Sequence, residues 1–232
     1  MFIFPGGATV TSPYVSPYSG DFELSETDDL RWTAGTPSNA KLMTCSMWVK
    51  RESTGWHNPC GAANNDGWNF RGDNHKLDVY NGGGVGLTTT ATFTSTSDWY
   101  HIVVRKDYAN GTANDRNKVW VDGTEITSFA TRNNPADANI AQWNQDGVVQ
   151  AIGSYTSSYF DGLIAEVAVC DGQSYSASDF ATDGAPIDLS GLTFGNNGYW
   201  LDFTGLGTDI SGNGNDFTND GVTQSSTVPP DG

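Results

Sequence analysis

The chain has 232 residues and 24.8 kDa, with 28 glycines, 9 prolines and a formal net charge of -16 from 11 basic and 27 acidic side chains. That length suits one all-β domain burying on the order of 70% of the surface of its unfolded form. The charge repels phosphate backbones, which excludes nucleic acid as a partner, and no apolar stretch is long enough to span a membrane.

Residues 1–20 carry Pro5-Gly6-Gly7, Pro13 and Pro17, so they lack ladder donors and stiffness, and they read as an extended N-terminal arm. Its aromatic residues Phe2, Phe4, Tyr14 and Tyr18 are the candidate contacts to a larger particle. Met1-Phe2-Ile3-Phe4 has no basic n-region and no continuous apolar core, so it is not a secretory signal. A globular pattern spans residues 21–220. In LMTCSMWVKRE, Leu42, Thr44, Ser46 and Trp48 alternate with Met43, Cys45, Met47 and Val49, which predicts a central strand. Residues 52–69 are loop-rich and place Trp56 and Trp68 in loops; KLDVY follows, then the run Asn81-Gly82-Gly83-Gly84 and a Thr/Ser-rich stretch.

From Asp98 to Phe180 antiparallel strands are predicted in sequence: DWYHIVVRKD, NKVWVDGTEI with its Asp122-Gly123 hairpin turn, VVQAIGSY, YFDGLIAEVAVCDG and SYSASDF. The loop TRNNPADANIAQWNQDG carries Trp143. GYWLDF reads as one more strand, DISGNGNDFT as a tight polar loop leading into a short strand, and residues 221–232 as a C-terminal tail. Three cysteines, Cys45, Cys60 and Cys170, are an odd number without metal-ligand spacing, which fits buried free thiols and a reducing cytosol.

Several residues carry chemistry worth weighing. Glu166 lies mid-strand on the parity of Ile164 and Ala168, and no acid stands at i±2 or i±4 to make the carboxylate pair that glycoside hydrolysis requires. A structural role is therefore expected, with no catalytic residue in the chain. Asp209, Asn213, Asn215 and Asp216 supply oxygens in a Gly-punctuated loop, a candidate calcium site, with an Asx-rich turn as the plainer reading; no other cofactor is indicated. Trp48, Trp99, Trp120 and Trp200 follow strand patterns and read as core or half-core, leaving the loop residues Trp56, Trp68 and Trp143 to contact a glycan or a protein partner. His57, His75 and His101 are too scattered for a metal triad, and Arg71-Gly72-Asp73 reads as a turn.

The order of SMWVKRE, DWYHIVVRKD, NKVWVDGTEI, the segment from Ile152 to Ser178 and DISGNGNDFT resembles the laminin-G-like, concanavalin-A-like jelly-roll domains. The resemblance implies two antiparallel sheets packed as a sandwich, and calcium is frequent in such domains. More narrowly, FDGLIAEVAVCDGQSYSASDF followed by GYWLDF and DISGNGNDFT is similar to modules of tailed-phage structural proteins. That likeness implies a non-enzymatic virion protein assembled in the host cytoplasm. A capsid decoration (cement) protein comes first, forming a homo-oligomer and binding virion proteins such as the major capsid protein. A tail-fibre or tail-tip module recognising host surface glycans comes second, and a glycan-cleaving enzyme last.

Overall fold

A computed structural model describes residues 14–137, 141–155 and 158–231. The first half of the chain supplies β1 (Ser19–Phe22), β2 (Asp29–Thr33), β3 (Leu42–Arg51), β4 (His57–Ala62), β5 (Asp66–Phe70), β6 (Leu77–Tyr80), β7 (Val85–Thr89) and β8 (Tyr100–Asp107). Then come β9 (Asn117–Val121), β10 (Thr124–Glu125), β11 (Phe129–Arg132), β12 (Val149–Ile152), β13 (Ser154–Tyr155), β14 (Ser158–Tyr159) and β15 (Gly162–Asp171). The last are β16 (Ala181–Thr182), β17 (Ala185–Pro186), β18 (Tyr199–Leu201), β19 (Thr218–Asp220) and β20 (Thr223–Ser225).

Two antiparallel sheets result. One runs β10-β9-β8-β3-β15-β1-β20, with β18 also on β15; the other runs β11-β7-β6-β5-β4-β12-β2-β19. The all-β sandwich expected from the sequence is the fold. Alternation sets the faces: Met43, Cys45, Met47 and Val49 of β3, with Ile102 and Val104 of β8, point between the sheets. There they meet Cys60, Trp68, Phe70, Leu77 and Val79 of the second sheet. Each such side chain contributes roughly 1.5–3 kcal/mol by leaving water. All three cysteines are free and buried.

The opposite face of the first sheet is partly covered by residues 173–197. Ala177, Phe180, Leu189 and Phe194 pack there on Val103, Trp120, Ala168, Cys170 and Trp200. This layer corrects one expectation, because SYSASDF is not a strand. Ser176 and Asp179 form a reciprocal capping box that closes a 3-10 turn over Ala177–Asp179.

Three other expectations shift. The stretch 52–69 contains the paired strands β4 and β5, because Cys60 and Trp68 face the core across Ala62↔Asp66 pairing. The arm does not reach residue 20: Ser19–Phe22 is a strand held between β15 and β20. The segment read as a tail supplies β20, and beyond it the Thr227 carbonyl accepts from the Ser19 hydroxyl at 2.8 Å.

Candidate functional site

Trp48 and His101 are directly opposite each other on β3 and β8. Both sit on the parity that points away from the sandwich interior, since their neighbours Met47, Val49 and Ile102 fill the core. Their rings stack at 4.7 Å with an interplanar angle of 17°. The His101 Nε2 hydrogen-bonds Ser46 Oγ at 2.8 Å, and burial lowers the His101 pKa to about 3, so the ring is neutral at ordinary pH.

This stack lies in a cleft of about 460 Å³, lined also by Trp99, Asp122, Gly123, Thr124, Ala181, Asp183, Gly184 and Pro230. Trp48 and His101, 4% and 1% exposed, form its floor, and Trp99 is half-buried beside them. Two tight turns of the same sequence raise the rim. Asp122-Gly123 joins β9 to β10 and Asp183-Gly184 joins β16 to β17, all four residues having positive φ of 49° to 82°. Asp-Gly is the dipeptide that a two-residue hairpin turn selects. The Asp122 carboxylate accepts from the His101 backbone N–H at 2.8 Å, which ties the rim to the floor, while burial raises its pKa. Asp183 is exposed. The arrangement offers the half-buried Trp99 ring and carboxylate acceptors over a closed aromatic floor, in a volume within the range of about 300–1,000 Å³ typical of small-ligand sites.

Ser46 and His101 could suggest the start of a hydrolytic triad. The His101 Nδ1, however, has no hydrogen-bond partner among the described residues, so no acid orients the ring, and Ser46 is buried beneath it.

The sequence-selected residues fall elsewhere. Trp68 and Trp143 are corrected: they are 2% and 1% exposed and belong to the core between the sheets, where Trp143 Nε1 donates to Gln150 Oε1. Neither can present a face to a ligand. Trp56 is 45% exposed, but the Arg71 guanidinium sits 5.0 Å from its ring centroid, and Arg71 also pairs with Asp73 and Asp78 at 2.7 and 3.1 Å. The Arg-Gly-Asp string is thereby closed on itself. In the 209–216 loop, Asp209 accepts from the backbone N–H groups of Trp200, Ser211 and Asn215, and Asp216 accepts from that of Asp209. Asn213 and Asn215 turn their amide N–H groups to the Gly198 carbonyl. These four residues staple a turn, and among the described residues no group of three or more His, Cys, Asp or Glu side chains is placed to hold a metal.

Of the particle-contact candidates, Phe2 and Phe4 lie outside the described residues. Tyr18 is 37% exposed, whereas Tyr14 packs on its own domain. Its hydroxyl donates to Glu166 at 2.9 Å and its ring lies 5.9 Å from that of Trp200. Glu166 itself occupies a bulge with φ of 49°, at the place where the β3 register slips and the other neighbour of β15 changes from β1 to β18. The bulge breaks the parity expected from sequence: Ile164 and Val167 face the core, while Glu166 meets Trp200, whose Nε1 donates to it at 2.7 Å. Burial, ahead of the other influences, raises the Glu166 pKa, and donors from Ser16, Trp200 and Tyr14 oppose the rise.

Residues 24–181 match a family model described as the concanavalin A-like lectin/glucanases superfamily. No curated protein sequence matches the chain. Among solved structures, the native heptameric SAP-like pentraxin from Limulus polyphemus is similar at TM-score 0.61 and 13% identity, over 91% of this chain and 96% of that one. A putative carbohydrate binding protein from Bacteroides ovatus is similar at TM-score 0.68 and 15% identity, over 95% of this chain and 62% of that one. Domains LG4-5 of the mouse laminin alpha1 chain give 0.53 and 13%, over 95% and 50%. At these identities the shared feature is the fold.

Proposed function

The chain belongs to the concanavalin A-like lectin/glucanases superfamily, and from that premise we propose that it is a non-catalytic glycan-binding module whose site is the cleft over Trp48, Trp99 and His101. The observation that carries this reading is the composition of the cleft. Trp99, half-buried, gives apolar ring surface for the C–H face of a sugar above a floor closed by the Trp48–His101 stack, and Asp122 and Asp183 give acceptors for its hydroxyls. Non-catalytic action is supported by the unoriented Ser46–His101 contact and by the enclosure of Glu166 among donors from its own chain.

The setting we propose is the surface of a tailed-phage particle, and it rests on the resemblance of the run from Phe160 to Phe180. Of the two virion roles expected from sequence, recognition of host surface glycans draws support from the cleft. The decoration role relied on an arm free to grip a capsid, and Tyr14 is engaged with Glu166. A glycan array probed with the wild-type chain, Trp99→Ala and Asp183→Ala tests the reading. Binding lowered about tenfold or more in both variants is expected, the equivalent of about 1.4 kcal/mol. Unchanged binding in both, or a blank array for the wild type, removes it.

A further inference from the structure

Three strand positions place the bulge beside the cleft. Ala165 pairs with Trp48, Ala168 pairs with Ser46, and Trp48 pairs with His101, so Glu166 emerges one strand away from the cleft floor on the same outer face. Next to it, on β18, stands Trp200, opposite Ala168. Trp200 and Glu166 together make a shelf with an indole and a carboxylate. What lies on the shelf is Tyr14, its ring tilted 47° to that of Trp200 and its hydroxyl donating to the carboxylate. Two residues on, Ser16 is 1% exposed and its hydroxyl donates to the Tyr18 carbonyl at 3.4 Å.

Residues 14–18 belong to no strand or helix, and Val15 between the two anchors is 47% exposed. Glu166, in contrast, is fixed on β15 between neighbouring strands, and it is a non-glycine residue in the left-handed region, a conformation that persists where surrounding structure imposes it. A ring tilted against an indole with its hydroxyl given to a carboxylate is also a contact that a neutral hexose could make there.

We propose that the Trp200–Glu166 shelf is a second subsite for a neutral sugar, continuous with the Trp48–His101 cleft, and that Tyr14 occupies it as an internal ligand until an extended glycan displaces residues 14–16. The inference rests on the glycan-binding reading of the cleft. A site whose competent state is a minor population binds more weakly by that fraction, so removing the occupant strengthens binding without any new contact.

The test uses the full chain as wild type, Tyr14→Phe, Tyr14→Ala, Tyr14→Ala/Glu166→Gln and Trp99→Ala, with an array of neutral oligosaccharides as the probe and thermal unfolding to confirm that each variant folds. Tyr14→Ala should bind at least about tenfold more tightly than wild type, given a minor state of roughly 0.1–10%. Tyr14→Phe, which loses only the hydroxyl, should gain in the same direction, and the double variant should lose the gain. Tyr14→Phe also keeps the inference testable if Tyr14→Ala does not fold. Folded Tyr14 variants with wild-type affinity overturn the subsite even where Trp99→Ala lowers binding. A gain at Tyr14 with no effect of Trp99→Ala leaves the shelf as a sugar site by itself, and overturns both the cleft reading and the continuity of the two subsites.

Discussion

His101 and His57 are both inside the protein, at 1% and 0% exposure, and burial holds their pKa values at about 3 and about 4. An unfolded histidine titrates near 6.5, so between that value and the folded one the unfolded chain binds the extra proton. The sign follows: stability from each neutral histidine is complete above about 6.5 and is lost as the pH falls, by about 1.4 kcal/mol per pH unit for each group. Glu166 acts in the opposite sense, because its raised pKa leaves the folded state holding the proton above the ordinary carboxylate value. Denaturant unfolding between pH 6.5 and 5 should therefore show a shallower loss of stability in His101→Gln than in the wild type. Equal slopes would mean that His101 is charged in the folded protein. Trp48 differs in a related way: its place in a strand pattern made it read as core or half-core, and it is buried, but as the floor of the cleft, covered by His101 and not by the second sheet.

Strands whose side chains alternate cleanly were legible in the sequence. The central strand β3, the hairpin from β9 to β10 and the long β15 all lie where their patterns and the Asp122-Gly123 turn place them. The parity of Ser46 and Trp48 against Met47 and Val49 was also readable, and the same parity at His101 was the one signal that could have assembled the cleft. Asp183-Gly184 repeats the hairpin dipeptide of Asp122-Gly123 and could have located the second rim. The bulge at Glu166 was not legible, because no glycine marks its left-handed residue and period-2 reasoning carries through it. Trp68 and Trp143 misled because they stand among Asn, Asp and Gly residues, whose side chains serve buried hydrogen bonds. One of these residues is Asp66, which ion-pairs with Lys106 and accepts from the Trp143 backbone N–H at 3.0 Å, joining β5, β8 and the short 142–144 turn. Both partners are buried, at 0% and 2%. Asp66→Ala leaves an ammonium without a counter-charge and should cost about 3–5 kcal/mol, whereas Asp66→Leu/Lys106→Met should recover most of that loss. Urea midpoints for the two variants decide the matter; equal midpoints would show that the pair is not acting as a unit.

At the scale of the whole molecule, charge selects among glycans. With 27 acidic and 11 basic residues the surface field is strongly negative, and the cleft rim adds Asp122 and Asp183 locally. A neutral oligosaccharide feels little of this, while a sialylated or sulfated one must approach against it. The Debye length is about 30 Å at 0.01 M salt and about 8 Å at 0.15 M, so at low salt the entire acidic surface opposes an anionic ligand and at higher salt only the rim does. Neutral glycans should accordingly bind with the same affinity at both ionic strengths, and anionic analogues of the same glycans should bind more weakly at 0.01 M than at 0.15 M. Titrations of matched neutral and sulfated oligosaccharides at the two salts measure the difference directly. An anionic glycan that binds more tightly at low salt would require a basic surface, and among the described residues no Arg or Lys lines the cleft; Arg105 lies against the Trp120 ring at 5.4 Å. The long-range field of this acidic chain thus favours uncharged sugars at the proposed site.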